Sequence, residues 1–247
     1  MIKIITLITK FILIALTALL FASCNSKLGN KSIIGSGNIT IEKRTVESDF
    51  KSIEVSNAID VEIEQSDKIE IIVEADDNLQ KEITTEVENG ILVIACDCNS
   101  FINAGSKKVT VRMPIIEELE ASSSATIRSI RTLKGENISL NTSSAAEITA
   151  TIESDVITCD SGSGSTINLE GKALKLETSA SSGSEIDARN LLANDIIASA
   201  SSGGSIAVHP IVNLKAEAKS GGDIVYDIIP KSIEKQTNSG GSISHEE

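Results

Sequence analysis

Cysteine, histidine and serine are the residues through which this chain could do chemistry. Cys96 and Cys98 form a C-x-C pair in "IACDCN", and Cys159 is a third thiol. Thiolates at short spacing are soft-metal ligands. No histidine stands near them to complete a zinc-type set, so no metal site is expected. Leu92, Ile94, Cys96 and Cys98 fall on one face of a strand pattern, and buried free thiols are the expectation. Three cysteines after Cys24 also make an odd number, which does not suggest a disulfide framework.

Serine is abundant, yet no G-x-S-x-G elbow occurs. The two histidines are His209, directly before Pro210, and His245, near the end. Neither is placed as a held general base. The glycines of "SGSGST" would need a following helix to cradle phosphate. A strand pattern follows instead, so they read as corner residues. Asp223 in "SGGDIVYD" resembles a calcium-binding repeat, but Thr166, Glu185, Ser205 and Ser242 occupy the equivalent places. No catalytic residue, cofactor or calcium array is expected.

One cysteine has a different chemistry. Lys3 and Lys10 flank or interrupt an apolar run through Leu20, with no acidic residue before Glu42. That is a secretory signal pattern. It ends in "LLFASCNS", where Ala22 and Ser23 precede Cys24 as in a bacterial lipobox. Residues 1–23 are read as a lipoprotein signal peptide, Cys24 as the lipid attachment site and 24–36 as a tether. Removing 1–23 takes two of the 22 basic residues and none of the 35 acidic ones, so the net charge of −13 becomes −15. Such a chain is repelled by nucleic acid. An acyl anchor would hold it on a membrane. The expected place is the cell envelope, lipid-anchored at the outer membrane. The "NSKLGNK" after Cys24 lacks the acidic mark some bacterial groups use for surface export, and the face is left open.

The elements that would carry any site come from a repeat. Apolar residues open successive units at Leu119, Leu140, Ile157, Leu176, Ile196, Leu214 and Ile233, with gaps of 21, 17, 19, 20, 18 and 19. An isoleucine follows each Ser/Gly cluster at 127, 148, 167, 186, 206, 224 and 243, with gaps of 21, 19, 19, 20, 18 and 19. Within a unit the period is two, the mark of a strand with one buried face. The Ser/Gly clusters break the strands. A unit of about 19 residues cannot bury its own apolar face, but a stack can. The fold class is therefore all-β, a right-handed parallel β-helix or solenoid over 117–247. Seven rungs would extend about 34 Å at the inter-strand spacing. With 2% aromatics, the interior must be Ile, Val, Leu and Ala. One expected interior column reads Ala121, Thr142, Cys159, Thr178, Ala198, Ala216, Lys235, with Lys235 breaking it at an open end.

Residues 37–116 alternate more strongly and carry a hairpin signal at Asn89-Gly90. They read as a β-rich N-terminal part joining the solenoid near Glu117. The stretches "FKSIEVSNAIDVEIEQSD", "VEADDNLQKEITTEVENGILVI", "KVTVRMPIIEELEASSSATI" and the later SSG rungs together resemble the putative auto-transporter adhesin, head GIN domain family, over roughly Ile39 to Ile243. The resemblance implies an exported β-helical protein, commonly a lipoprotein, with no catalytic residues to carry over. The reading is a non-enzymatic, envelope-anchored adhesin or recognition and scaffold module, with an envelope or extracellular glycan or protein as partner and self-association as a further option. The alternative is a glycan-binding or polysaccharide-cleaving β-helix. Against cleavage, Tyr226 is the only tyrosine, and Arg128, Arg131 and Arg189 are the only arginines from Leu119 onward, with no convergent set among them.

Overall fold

The computed structural model describes residues 31–246, and Cys24 and the segment read above as a signal peptide lie outside them. The N-terminal strands are β1 (Ser32–Ile34), β2 (Ile39–Arg44), β3 (Ser52–Val55), β4 (Asp60–Gln65), β5 (Glu70–Asp76), β6 (Ile83–Glu88), β7 (Ile91–Cys96), β8 (Ser100–Ile102) and β9 (Lys107–Met113). Next come β10 (Glu118–Ala121), β11 (Thr126–Ser129), β12 (Leu133–Thr142), β13 (Glu147–Ser161), β14 (Thr166–Ala180), β15 (Glu185–Ser201) and β16 (Ser205–Lys219). The last are β17 (Asp223–Tyr226), β18 (Ser232–Asn238) and β19 (Ser242–His245).

The stack is a β-solenoid of about seven turns. Each coil has two strand segments, joined by a Ser/Gly corner and by a looser second corner within the long strands. Successive coils pair in parallel: β13 matches β14 from Glu147–Thr166 to Ser161–Ala180. The seven isoleucines predicted to share a column do so, from Ile127 through Ile148, Ile167, Ile186, Ile206 and Ile224 to Ile243. Six are wholly buried, and Ile243 packs against the core from the end coil. The column continues below Ile127 into Val61 and Val109. Strands β3, β4, β7 and β9 are thus stacked in parallel with the later coils, and one apolar core runs from Phe50 to Tyr226.

The other predicted column is corrected at its second step. Thr142 pairs with Ser161, and Cys159 pairs with Leu140. Two interior columns replace the one expected: Leu119, Leu140, Cys159, Thr178, Ala198, Ala216, Lys235, and Ala121, Thr142, Ser161, Ala180, Ala200, Ala218, Thr237. The cause is the strand period itself. Residues two apart share a face, so Ile138 and Leu140 both point inward, and Ile138 is the true equivalent of Ile157. With Glu117, whose backbone receives Ser139 N–H, as the first member, this series has gaps of 21, 19, 19, 20, 18 and 19, identical to those of the isoleucine column.

Each Ser/Gly corner is a two-residue turn with positive φ at both central positions, as in type I′ hairpins. Ser123 and Ser124, Ser182 and Gly183, and Ser220 and Gly221 are examples, with φ from 51° to 74°. An i→i+3 backbone bond closes it, such as Ala125 N to Ser122 O at 3.0 Å. The inward residue after each turn goes from large to small to none along the stack: Ile59, then Ala125, Ala146, Ser165 and Ser184, then Gly204, Gly222 and Gly241. Ser165 and Ser184 satisfy their buried hydroxyls locally: Ser165 Oγ donates to Gly162 O at 2.7 Å and Ser184 Oγ to Ser161 O at 2.6 Å.

The two ends differ. At the N-terminal end the parallel coils are closed by antiparallel strands: β5 on β9, β2 on β5, and β6 on β7 through the Asn89–Gly90 turn. Asp76, wholly buried, ties this cap together. Its carboxylate accepts Gly37 N–H at 2.8 Å, Gly105 N–H at 2.9 Å and Ser106 N–H at 3.0 Å. At the C-terminal end β18 is exposed along its whole length. There Lys235 lies 4.5 Å from the Tyr226 ring centroid and donates to its hydroxyl at 2.7 Å, covering the last large core residue.

Candidate functional site

The solenoid offers two kinds of surface, because its two corners differ in composition. The Ser/Gly corner carries an exposed serine at the first turn position of successive coils: Ser123, Ser144, Ser163, Ser182, Ser202, Ser220 and Ser239. They stand about one inter-strand spacing apart, roughly 4.8 Å. Backbone bonds between neighbouring turns, such as Ser124 N to Ser144 O at 3.0 Å and Ala145 N to Ser163 O at 3.1 Å, hold the row in step. The hydroxyls therefore form a regular polar ridge on a stiff support.

The second corner is concave and more apolar. One trench of about 500 Å³ is lined by Gln65, Ile115, Lys134, Asn137 and Val156, and a second of about 470 Å³ by Glu153, Lys172, Leu174, Leu192 and Ile211. Gly135 lines both. Leu174 is 56% exposed, Leu192 48% and Ile211 40%, so apolar surface recurs here on consecutive coils. Lys134 and Lys172 reach Glu153 from either side, at 3.2 and 3.4 Å, and hold its carboxyl below the usual range. Along the outer strand face, Glu54 and Glu120 are direct neighbours on adjacent coils. Partial burial, with the charges of Glu54 and Glu118, pushes the Glu120 carboxyl up.

The predicted cysteine chemistry changes. Cys96 and Cys98 are joined by a disulfide with an S–S distance of 2.07 Å, and Cys159 is free and buried. The reading of the pair as free thiols on one strand face fails because β7 stops at Cys96. The following bend brings the two Cα atoms to 5.1 Å, inside the range a disulfide spans. A loop of three residues gains only about 1.6 kcal/mol in the chain-entropy treatment, roughly half the value for a fifteen-residue loop. Cys159 behaves as expected: burial pushes its thiol well above the ordinary range and keeps it protonated. Among the described residues no cluster of three or more His, Cys, Asp or Glu side chains is arranged to hold a metal ion.

Histidine also departs from expectation. His209 Nδ1 lies 2.9 Å from Asp227 Oδ2, one coil further on, so its ring is held. His245 stacks near Tyr226, with ring centroids 5.2 Å apart. A base and its orienter become a hydrolytic set only with a nucleophile on the free ring nitrogen. The serine hydroxyls fixed most firmly, Ser161, Ser165 and Ser184, bond inward beside Thr142 in the interior instead. Cys24, the residue expected to carry lipid, lies outside the described residues.

Comparison with known proteins agrees with the architecture. A putative adhesin from Bacteroides fragilis superposes with a TM-score of 0.79 at 19% identity, covering 87% of this chain and 100% of that one. A putative adhesin from Parabacteroides merdae gives 0.70 at 22%, covering 88% and 100%. A protein from Parabacteroides distasonis, described as a putative lipid binding protein, gives 0.70 at 24%, again covering 88% and 100%. No curated protein matches the chain. The family model described as "Putative auto-transporter adhesin, head GIN domain" matches residues 49–228, which spans β3 to β17 and the buried core from Phe50 to Tyr226. This chain, with its stacked coils and Ser/Gly corners, belongs to the head GIN domain family of putative auto-transporter adhesins.

Proposed function

We propose that the protein is an envelope-anchored recognition or scaffold module that catalyses no reaction. It is held to the outer membrane by lipid on Cys24 and displays the solenoid from a short tether. The observation that carries this reading is the register-locked repetition of side chains from coil to coil, seen most simply in the row from Ser123 to Ser239. A repeating surface suits an extended or repeating partner, such as an envelope or extracellular glycan, or a protein segment laid along the stack. Each contact is weak, since aromatic and arginine side chains are few. Many copies on one membrane raise the effective concentration and supply avidity. The family's adhesin description is consistent with this role.

A second reading rests on the second corner. The paired trenches with Leu174, Leu192 and Ile211 suit an elongated, partly apolar ligand. One fold relative carries a lipid-binding description. Both readings meet in one set of experiments. A glycan array, a lipid-overlay series and a polysaccharide-lyase screen are run on the purified protein, beside attachment and envelope-integrity assays of a deletion strain. Binding without turnover, together with an altered deletion phenotype, supports the module. Reproducible turnover abolished by His209→Ala or by loss of one acidic residue overturns it in favour of a glycan-cleaving enzyme. Mass spectrometry of protein from its native envelope tests the anchor; an intact N-terminus or a free Cys24 thiol refutes it.

A further inference from the structure

We propose that the Cys96–Cys98 disulfide is a thiol–disulfide exchange site for small, solvent-borne thiols, open to reaction while the protein stays folded. The proposal stands apart from the recognition reading above. Four observations lead to it.

The bond is not a staple between distant elements. It joins residues two apart, at the bend where β7 ends. The loop keeps its shape by other means. β7 is paired on both sides, with β3 and with β6. Asn57, at the first coil corner, accepts Cys96 N–H at 3.2 Å and donates to Cys98 O at 3.5 Å. Asp97 N–H donates to Glu82 O at 3.0 Å. Opening the sulfur bridge removes none of these bonds.

The two sulfurs also differ in access. Cys96 is 9% exposed and belongs to the core, whereas Cys98 packs against that core from its edge, half-buried beside the exposed Asp97. Thiol chemistry follows access, and Cys98 is the sulfur that faces an incoming reagent. Finally, the Cα atoms stand 5.1 Å apart, and the hydrogen bonds just named involve neither sulfur, so they would keep the reduced pair close for re-closure.

The reaction balances with thiol as the only co-reactant. A thiolate attacks Cys98 Sγ, forming a mixed disulfide there, while the Cys96–Cys98 bond breaks and its electron pair leaves on Cys96, which takes a proton from water. A second thiolate attacks the small-molecule sulfur of the adduct. It departs as a symmetrical disulfide, and Cys98 leaves as a thiolate and is protonated. One protein disulfide and two thiols become one protein dithiol and one small disulfide. The small disulfide reverses the sequence.

The test uses the full-length protein in detergent and two probes, reduced glutathione and cysteamine. After acid quench and alkylation, the tryptic peptide 82–107, which holds only these two cysteines, reports their state. The expected result is loss of the disulfide with an unchanged far-UV circular dichroism spectrum and thermal midpoint. The rate should rise at least in proportion to thiol concentration, and toward its square where Cys96 re-closes on the adduct before a second thiol arrives, and the transient adduct should map to Cys98. A rate that reaches a plateau with thiol concentration means that opening of the fold limits access, and it overturns the proposal. So does an adduct found equally on Cys96, or reduction only in denaturant. Cys98→Ser should leave a Cys96 thiol that reacts with oxidised glutathione about tenfold more slowly than the Cys98 thiol of Cys96→Ser, following exposure. Should either variant fail to fold, the rate law and adduct mapping on the unmutated protein decide the matter alone.

Discussion

Gly203 and Gly204 are neighbours at one Ser/Gly corner, and the structure predicts opposite tolerance for alanine at each. Gly203 has φ +74°, where L residues are strained, yet a Cβ built there meets nothing within 4 Å. The same turn position holds Ala145 at φ 61° and Ala58 at φ 56°. A left-handed alanine costs about 1–2 kcal/mol, and roughly 0.4–1 kcal/mol is recovered from the unfolded chain. Gly203→Ala should therefore destabilise by about 1 kcal/mol. Gly204 lies outside the left-handed region, but its Cβ would stand 2.4 Å from Ala180 O and 2.6 Å from Ala180 C, backbone atoms of the preceding coil. Relief requires that coil to shift by about an ångström, which strains the bond of Ser205 N to Ser184 O at 2.9 Å. Overpacking of about 1–3 kcal/mol plus a weakened buried ladder bond of about 1 kcal/mol gives about 3 kcal/mol. In a chain of this size each kcal/mol moves the midpoint by about 2–4 °C. Thermal unfolding followed by far-UV circular dichroism should place Gly204→Ala about 6–12 °C below wild type and Gly203→Ala within about 4 °C. Equal midpoints for the two variants would refute the close approach of coils at this corner.

Ile186 is wholly buried in mid-column, so Ile186→Asp, which buries an unpaired charge, should lower stability by about 4 kcal/mol or more; a near-native urea midpoint would break the column assignment. Asp76 is held as a carboxylate by the N–H groups of Gly37, Ser106 and Gly105, which lower its pKa below the usual Asp value. A depressed folded pKa contributes stability above the unfolded pKa and loses it as pH falls through the folded one. Wild type should therefore lose cap stability below about pH 4. Asp76→Asn should lose about 2 kcal/mol at neutral pH and show a flatter acid limb, and parallel acid limbs would contradict the assignment. Lys235→Ala removes the cation from the Tyr226 ring and should cost about 0.5–1 kcal/mol; Lys235→Met, which restores cover without charge, should recover part of it, as unfolding curves of the three proteins would show.

How much of this was legible in the sequence depends on whether a feature repeats. The isoleucine column could be found because a fixed period of about 19 residues carries one residue type through seven coils. The register of the other face could not be fixed by eye at Ile138 and Leu140, since both point inward; comparing the two gap series resolves it. Held His209 was hidden for a related reason. Asp227 is 18 residues away, the local length of one coil, so a search for partners at the repeat spacing would have found it. The Asp76 clamp and the Cys96–Cys98 bond had no such handle. Each occurs once, in the cap or at its bend, where no period operates and partners come from unrelated loops such as Gly105–Ser106. The serine row was visible as composition, but its positive φ values and its role as an outward ridge needed the turn geometry.

The shrinking inward residue at the Ser/Gly corner, from Ile59 to Gly241, has a bearing on how such a chain can change length during evolution. A duplicated coil keeps every face in register and adds one step of roughly 4.8 Å, so growth by whole coils leaves the column pattern intact. A one-residue insertion within a strand would turn its interior residues outward. Yet whole coils are not interchangeable either. A copy of the Ala146 coil placed beside Gly222 would bring a Cβ against the backbone of its neighbour, as Gly222 itself would with alanine, 2.4 Å from Ala200. Each coil is thus fitted to its own position, and lengthening is least obstructed by duplicating a coil next to itself, where the corner it must fill is already its own size.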